Sequence, residues 1–279
     1  MHTLVNGQLA SDIPAPYRAA NYGDGLFETM RYENGQIALC SYHLSRLELG
    51  LTRIAIDEDI QLISQEVDYF LQHLKSLNIQ SGVIKLRVIR GGDTRGYLPD
   101  TNAEHWRIFE VFESLPKWGQ EETAFICKHT LPIHPAFAGI KHLNRLDQVV
   151  AAQELIGKAV TTGLMLDSKQ NLVCGIDSNI YLEMADRIIT PLVQQSGVSG
   201  VFRRYIIDTM HSCLDIPLVE QDISLEQITK CDGLWLSNAV RGLRPVREVK
   251  GLASWQSPYS PKLLKLRSVA QASLKAGIS

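Results

Sequence analysis

The stretch Gly139-Ile-Lys-His-Leu-Asn-Arg-Leu146 sets Lys141 at a predicted strand-to-helix junction with apolar neighbours on either side. Partial burial penalises the charged form of a lysine, and the free amine that results is both nucleophile and base. Taken alone, the same residues equally allow a solvated surface charge, which is what most lysines are. Downstream, Leu146, Val149, Gln153 and Ile156 recur at helical spacing, which predicts a helix carrying them on one face. Upstream, a strand is expected around residues 124–129, opening the second half of the chain.

Beyond that helix, residues 164–166, 172–174, 180–184 and 188–189 predict strands of a meander. Ser196-Gly-Val-Ser-Gly200 then precedes a helix bearing Phe202, Ile206, Met210 and Cys213. A helix start offers unpaired N–H groups and the positive end of a dipole, so this loop is a candidate anion site, although many such loops bind nothing. Ser224 with Gln227 matches a capping box for a further short helix. Upstream, Leu115-Pro-Lys-Trp-Gly-Gln-Glu-Glu122 is polar and carries Pro and Gly, the composition of a linker. The expected division is an N-terminal lobe at 1–115, a linker at 116–122 and a C-terminal lobe at 123–279.

In the first half, Asn6-Gly7 and Asn34-Gly35 are hairpin turns between strand-like segments. Leu44, Leu47 and Leu51 make one apolar stripe on a short helix, with Arg46 off that stripe. Ile60, Ile63, Val67, Phe70 and Leu74 keep helical spacing over a longer one. Ile84, Leu86 and Val88 alternate with Lys85 and Arg87, as in a half-buried strand, before the turn-rich segment Arg90-Gly-Gly-Asp-Thr-Arg-Gly-Tyr97. A further strand is expected at 106–112. Tyr22-Gly-Asp-Gly-Leu-Phe-Glu-Thr29 is Gly-rich but lacks the Lys-Ser/Thr ending of a P-loop, so its residues alone favour a tight turn into a strand.

At 279 residues the chain exceeds what one layered core usually holds, which is why two lobes are expected. A net charge of -2 gives no reason to expect nucleic-acid or membrane binding. The N-terminus lacks the basic and apolar regions of a signal peptide, and no stretch is long and apolar enough to cross a bilayer. Five scattered cysteines without a CxxC pair argue against a disulfide framework or a zinc site, and a cytoplasmic location fits. His43 and His142 lack metal-ligand spacing, so no metal is expected.

Several segments occur together in one order: Gly-Asp-Gly-Leu-Phe-Glu-Thr29, His43-Leu-Ser-Arg-Leu47, Thr94-Arg-Gly-Tyr97, the Lys141 block, Ser178-Asn-Ile180 and Gly197-Val-Ser-Gly200. From about Asn6 to about Val246 the chain resembles the class-IV aminotransferases, fold-type-IV pyridoxal 5'-phosphate (PLP) enzymes. Within them the Lys141 block with Asp-Gln-Val149, Arg-Gly-Tyr97 and Asn238-Ala239 upstream of Arg244-Pro-Val246 resembles the aminodeoxychorismate lyases. The resemblance implies an α/β (α+β) fold, with a small N-terminal α/β lobe and a larger C-terminal lobe whose sheet is barrel-like. It also implies a homodimer with the cofactor held between the lobes.

The resemblance further assigns roles. Lys141 matches the lysine that carries the cofactor covalently, and Arg46 the arginine that contacts its phosphate. Val198 with Ser199, and Asn238 with Ala239, match positions whose backbone N–H groups bind the same phosphate. Arg95 and Tyr97 match the substrate side of the pocket, where Tyr22 and Phe27 either form a wall or simply pack. Arg241 and Arg244 either meet a dicarboxylate substrate or lie on a solvated loop face. Cys174 departs from the pattern, because relatives place there the glutamate that pairs with the pyridine nitrogen. The implied activity is conversion of 4-amino-4-deoxychorismate to 4-aminobenzoate and pyruvate. The alternatives are a branched-chain or D-amino-acid aminotransferase, and a catalytically impaired relative that still binds the cofactor.

Overall fold

The computed structural model describes residues 2–93, 95–213 and 216–275, the side chains of 210–213 and 273–275 excepted. Thr94 and the side chains of Met210 and Cys213 therefore lie outside the described residues. The chain divides into two compact units: the residues up to Pro116 together with Ile140–Asn144, and Lys117–Gly139 together with the chain from Arg145 onward.

The first unit comprises β1 (His2–Val5), β2 (Gln8–Ala10), α1 (Tyr17–Tyr22), β3 (Gly25–Glu33), β4 (Gln36–Ile37), α2 (Cys40–Arg53), α3 (Ile60–Ser76), β5 (Ser81–Ile89) and β6 (Trp106–Phe112). The strands form one antiparallel sheet in the order β2-β1-β6-β5-β3-β4. Both predicted turns are present: Asn6 and Gly7 have φ of 46° and 76°, and Asn34 and Gly35 have 53° and 81°. Two successive positive φ values match the twist of the flanking strands, and Asn-Gly adopts them at little cost. Alternate residues of β3 and β5, among them Leu26, Met30, Ile84, Leu86 and Val88, share one core with Leu47 and Leu51 of α2 and Ile63, Val67, Phe70 and Leu74 of α3. Each such side chain contributes roughly 1.5–3 kcal/mol on burial. Asp59 fixes the start of α3 by accepting the Gln61 N–H at 2.8 Å.

The lysine segment belongs to this first unit, not to the C-terminal lobe in which the sequence placed it. The Phe27 N–H donates to the Lys141 carbonyl at 3.0 Å, and the Leu143 N–H donates to the Gly25 carbonyl at 2.9 Å. Leu26 and His142 form an isolated antiparallel bridge. Residues 141–143 therefore lie alongside the start of β3 as a short extra strand, a tertiary pairing invisible to local periodicity.

The second unit comprises β7 (Glu122–Ile126), α4 (Leu146–Gln153), β8 (Thr162–Leu166), β9 (Leu172–Gly175), β10 (Asn179–Glu183), β11 (Ile188–Pro191), α5 (Val201–Cys213), β12 (Leu218–Gln221), α6 (Leu225–Lys230), β13 (Gly233–Asn238), β14 (Gly242–Val249), β15 (Ala253–Ser254) and α7 (Pro261–Lys275). Glu122, assigned above to the linker, is the first residue of β7. The sheet runs β12-β11-β10-β13-β14-β7-β8-β9, with β15 on β14. It is mixed, since β7 is parallel to both β14 and β8. A tight Gly175–Ser178 bridge returns β9 to β10, so the strand path curls back on itself in a barrel-like way. The capping box of α6 is formed by Ser224 and Gln227 as predicted. By contrast, the predicted face of α4 is exposed: Leu146 at 73%, Val149 at 50%, and Ile156, beyond the helix end, at 81%. Ala151 supplies the buried side of that helix. Among the described residues no helix is long and apolar enough to cross a membrane.

Candidate active site

In the first unit the Lys141 side chain folds over an aromatic face, with Nζ 4.2 Å from the centroid of the Phe27 ring. Lys85 Nζ lies 5.5 Å from the same centroid. Burial, and then the neighbouring Arg87, push the Lys85 ammonium below its ordinary range. Phe27 and Glu28 are consecutive on a strand and therefore point to opposite faces. The Phe27 face carries the lysines, and the Glu28 face meets α2.

There Glu28 accepts from Arg46 Nε at 2.8 Å and from Arg46 Nη2, and it pairs with His43 Nδ1 at 2.6 Å. Glu28 and His43 are each 1% exposed. Burial alone would raise the Glu28 carboxyl, but Arg46 and His43 hold it at about 2. Burial lowers the pKa of His43, and Glu28 pushes against that shift. His43 Nε2 is buried with no partner among the described residues. Arg46, expected from the resemblance to face a phosphate, thus spends two of its three nitrogens on Glu28. The sequence did offer a signal for this cluster. Glu28 occupies the buried phase of a strand between Leu26 and Met30, and His43 and Arg46 stand three apart on a helix.

Arg95 and Tyr97 lie on the loop between β5 and β6. Tyr97 is 86% exposed, with its ring centroid 5.5 Å from that of Tyr22.

In the second unit Gly197, at φ 85°, begins the loop into α5. The Gly139 N–H donates to the Gly197 carbonyl at 2.9 Å, the Ser199 N–H donates to the Gly139 carbonyl at 3.0 Å, and Asn179 Nδ2 donates to the Val198 carbonyl at 2.9 Å. The Ser199 N–H, expected to bind phosphate, is therefore committed to Gly139. The Val198 N–H is not engaged among the described residues. A Cβ on Gly200 would collide with Asn179 Oδ1, so only glycine permits this close approach. The Asn238 side chain shapes the turn containing Ala239, accepting the N–H groups of Val240 (3.1 Å) and Arg241 (2.7 Å) and donating to the Asp177 carbonyl (3.1 Å).

Cys174 lies on β9 opposite Met165 of β8 and is 7% exposed. Burial pushes its thiol up to about 12, so it is neutral and uncharged at physiological pH. Asp177 does not replace the missing glutamate. Its carboxylate pairs with Arg241 and Arg244, each at 3.3 Å. Arg244 is fully buried and also pairs with Glu122, which lies 3.2 Å from Arg241. The solvated-loop alternative for Arg244 is thereby corrected: the two arginines and two carboxylates balance one another inside the unit.

Among the described residues no group of His, Cys, Asp or Glu could hold a metal ion. In the first unit, the Lys141 amine on the Phe27 face suits an aldehyde; in the second, the start of α5 suits an anionic group. The one group of different chemistry is the neutral thiol.

The amino-transferase class IV family profile matches residues 25–249. An aminodeoxychorismate lyase of Vibrio harveyi is 28% identical over 248 residues, 87% of this chain and 89% of that one. The crystal structure of 4-amino-4-deoxychorismate lyase from Pseudomonas aeruginosa superposes with a TM-score of 0.87 at 33% identity, covering 97% of this chain and 98% of that one. A hypothetical aminotransferase from Mycobacterium tuberculosis in PLP-bound form has the same fold, with a TM-score of 0.84 at 14% identity over 99% of each chain. This chain belongs to the class IV amino-transferases, a fold-type-IV family of pyridoxal-phosphate-dependent enzymes.

Proposed function

We propose that the chain is a PLP-dependent carbon–oxygen lyase converting 4-amino-4-deoxychorismate to 4-aminobenzoate and pyruvate, a step towards folate. The observation that carries this proposal is the Gly139–Leu146 block, with the Lys141 amine held on the Phe27 face. The 33% identity to the Pseudomonas lyase over nearly the whole chain supports it.

Bound pyridoxal phosphate would supply an aldehyde for the substrate amine and a ring that withdraws electrons. Lys141 would hold it, and the Val198 N–H at the start of α5 would receive its phosphate with the positive end of the helix dipole behind. Asn238 and Ala239 are proposed as a second backbone contact. Arg46 is proposed to contact the same phosphate, with Glu28 orienting its guanidinium. Lys141 Nζ would take the ring C–H proton and return it to the methylene carbon of the departing enolpyruvate. The C–O bond breaks, the ring becomes aromatic, and no water or oxidant is consumed. Positioned proton transfer of this kind contributes about 10²–10⁴-fold. Arg95 and Tyr97 are proposed to meet the substrate's carboxylates, with Phe27 packing beside the reacting amine.

The exposed α4 residues Leu146, Val149 and Val150 are proposed as part of a homodimer surface, which size-exclusion chromatography with light scattering tests. The four described cysteines are unpaired, in keeping with a cytoplasmic location. The deciding experiment supplies 4-amino-4-deoxychorismate to the PLP-loaded chain and measures 4-aminobenzoate and pyruvate in equal amounts. Absence of both products would remove the proposal.

A further inference from the structure

The loop of Arg95 and Tyr97 has outward side chains, Tyr97 at 86% and Leu98 at 85% exposure, on a backbone tied from beneath. Arg18 of α1 is only 3% exposed. It donates from Nη1 to the Gly96 carbonyl at 3.3 Å, from Nη2 to the Tyr97 carbonyl at 3.0 Å, and from Nε to Asp24 Oδ2 at 2.8 Å. Its guanidinium carbon lies 5.1 Å from the centroid of the Tyr22 ring, and the Tyr22 hydroxyl accepts the Gly96 N–H at 3.0 Å. Asp24 is shared. Arg90 Nε donates to it at 3.0 and 3.2 Å, while Arg90 Nη1 and Nη2 donate to the carbonyls of Ala55 and Ile54.

Asp24 also sits between two residues joined to the lysine segment. Asn144 Nδ2 donates to the Gly23 carbonyl at 3.0 Å, and the Leu143 N–H donates to the Gly25 carbonyl at 2.9 Å. Through the Arg18 guanidinium, the Asp24 carboxylate thus links the Arg95–Tyr97 backbone to the backbone that carries Lys141, while Arg90 braces the same carboxylate against Ala55 and Ile54. A buried cation is costly unless fully paired. Here its planar fork is aimed at two consecutive carbonyls of an exposed loop, which a core-stabilising ion pair does not require.

We infer that Arg18 is a positioning residue, holding the Gly96–Tyr97 backbone against Asp24 so that Arg95 and Tyr97 face the substrate in one orientation relative to Lys141. This rests on the proposed lyase reaction and names residues that aim its substrate contacts without touching substrate. Two variants of the holoenzyme test it. In Arg18→Lys the ammonium still pairs with Asp24 but cannot fork to both carbonyls. Tyr22→Phe removes only the acceptor of the Gly96 N–H.

Arg95 is exposed, so trypsin cleavage after it reports loop freedom. Arg18→Lys is expected to be nicked there about tenfold faster and to raise KM about tenfold with kcat within about threefold. Tyr22→Phe is expected to move both in the same direction by a few-fold. Cofactor absorbance and the unfolding midpoint should change little. Unchanged nicking, or faster nicking with KM unmoved, would overturn the inference. A fall in unfolding midpoint without either effect would mark Arg18 as a stability residue only. Should Arg18→Lys fail to fold, Tyr22→Phe decides on the same readouts. Wild-type protein that forms no product would defeat the lyase proposal, and the nicking rates would still decide whether Arg18 holds the loop.

Discussion

Glu28→Gln is the substitution whose effect the structure sizes most directly. The Glu28 carboxyl stands at about 2, against an ordinary value of 4.5. A folded-state value below the unfolded one means the carboxylate stabilises the fold above about pH 4.5, and that this stabilisation is lost as pH falls towards 2. At 1.36 kcal/mol per unit the shift corresponds to about 3 kcal/mol at neutral pH, falling to about 2 kcal/mol at pH 3.5. The neutral amide also leaves the Arg46 cation without its counter-charge, and breaking a buried pair from one side typically costs about 3–5 kcal/mol. Urea titrations of wild-type and variant at several pH values give the stability difference directly. Glu28 also raises His43, so this histidine sits lower still in the variant and its response to acid partly opposes the narrowing. The expected result is a gap of about 3 kcal/mol or more at pH 6.5 that narrows by about 1 kcal/mol at pH 3.5. A gap that is flat or widens on acidification would show that Glu28 is not held ionised by Arg46 and His43.

Lys141→Ala should abolish product formation and the visible absorbance of bound PLP, with no borohydride-stable adduct by mass spectrometry; an adduct retained in the variant would place the linkage elsewhere. Cys174→Glu should lose about 1–3 kcal/mol without cofactor, because a carboxyl replaces a buried thiol, and regain part of that when PLP is added. The same variant should show amino-acid transamination in a coupled assay where wild-type shows little; equal rates would refute a role for residue 174. Gly200→Ala should destabilise by about 1–3 kcal/mol, because its Cβ must displace the Asn179 amide, and should weaken PLP binding in a fluorescence titration.

Local patterns in the sequence expose those parts of the fold that depend on local physics. Asn-Gly turns need positive φ, the α3 stripe needs helical spacing, and Ser224 with Gln227 needs only each other; each is found where the pattern put it. What the sequence hid is tertiary. Because it follows Ala124–His129 along the chain, Lys141 reads as part of the second lobe, yet its backbone pairs with β3, more than a hundred residues earlier. The spacing of Leu146, Val149 and Ile156 puts them on one face, but periodicity cannot say what lies opposite, and here all three are exposed. Arg244 gave no sign of being fully buried, because its partners Glu122 and Asp177 stand on distant segments that meet only through the curled sheet. For the candidate site, no motif could reveal that Arg46 shares Glu28 or that the Ser199 N–H serves Gly139.

Cys174 joins the departure from the family pattern to the proposed reaction. A carboxylate at this position would hold a proton on the pyridine nitrogen and keep the ring strongly electron-withdrawing. A thiol pushed up to about 12 by burial carries no charge at neutral pH and offers only a weak hydrogen bond. Asp177 does not stand in for it, being committed to Arg241 and Arg244. A transaminase depends on electron withdrawal in both halves of its cycle, and neither half has a strongly downhill outcome to lean on. The lyase reaction makes an aromatic ring as it releases pyruvate, so its driving force lies in the product rather than in the cofactor. Loss of the glutamate therefore weighs more heavily against transamination than against elimination.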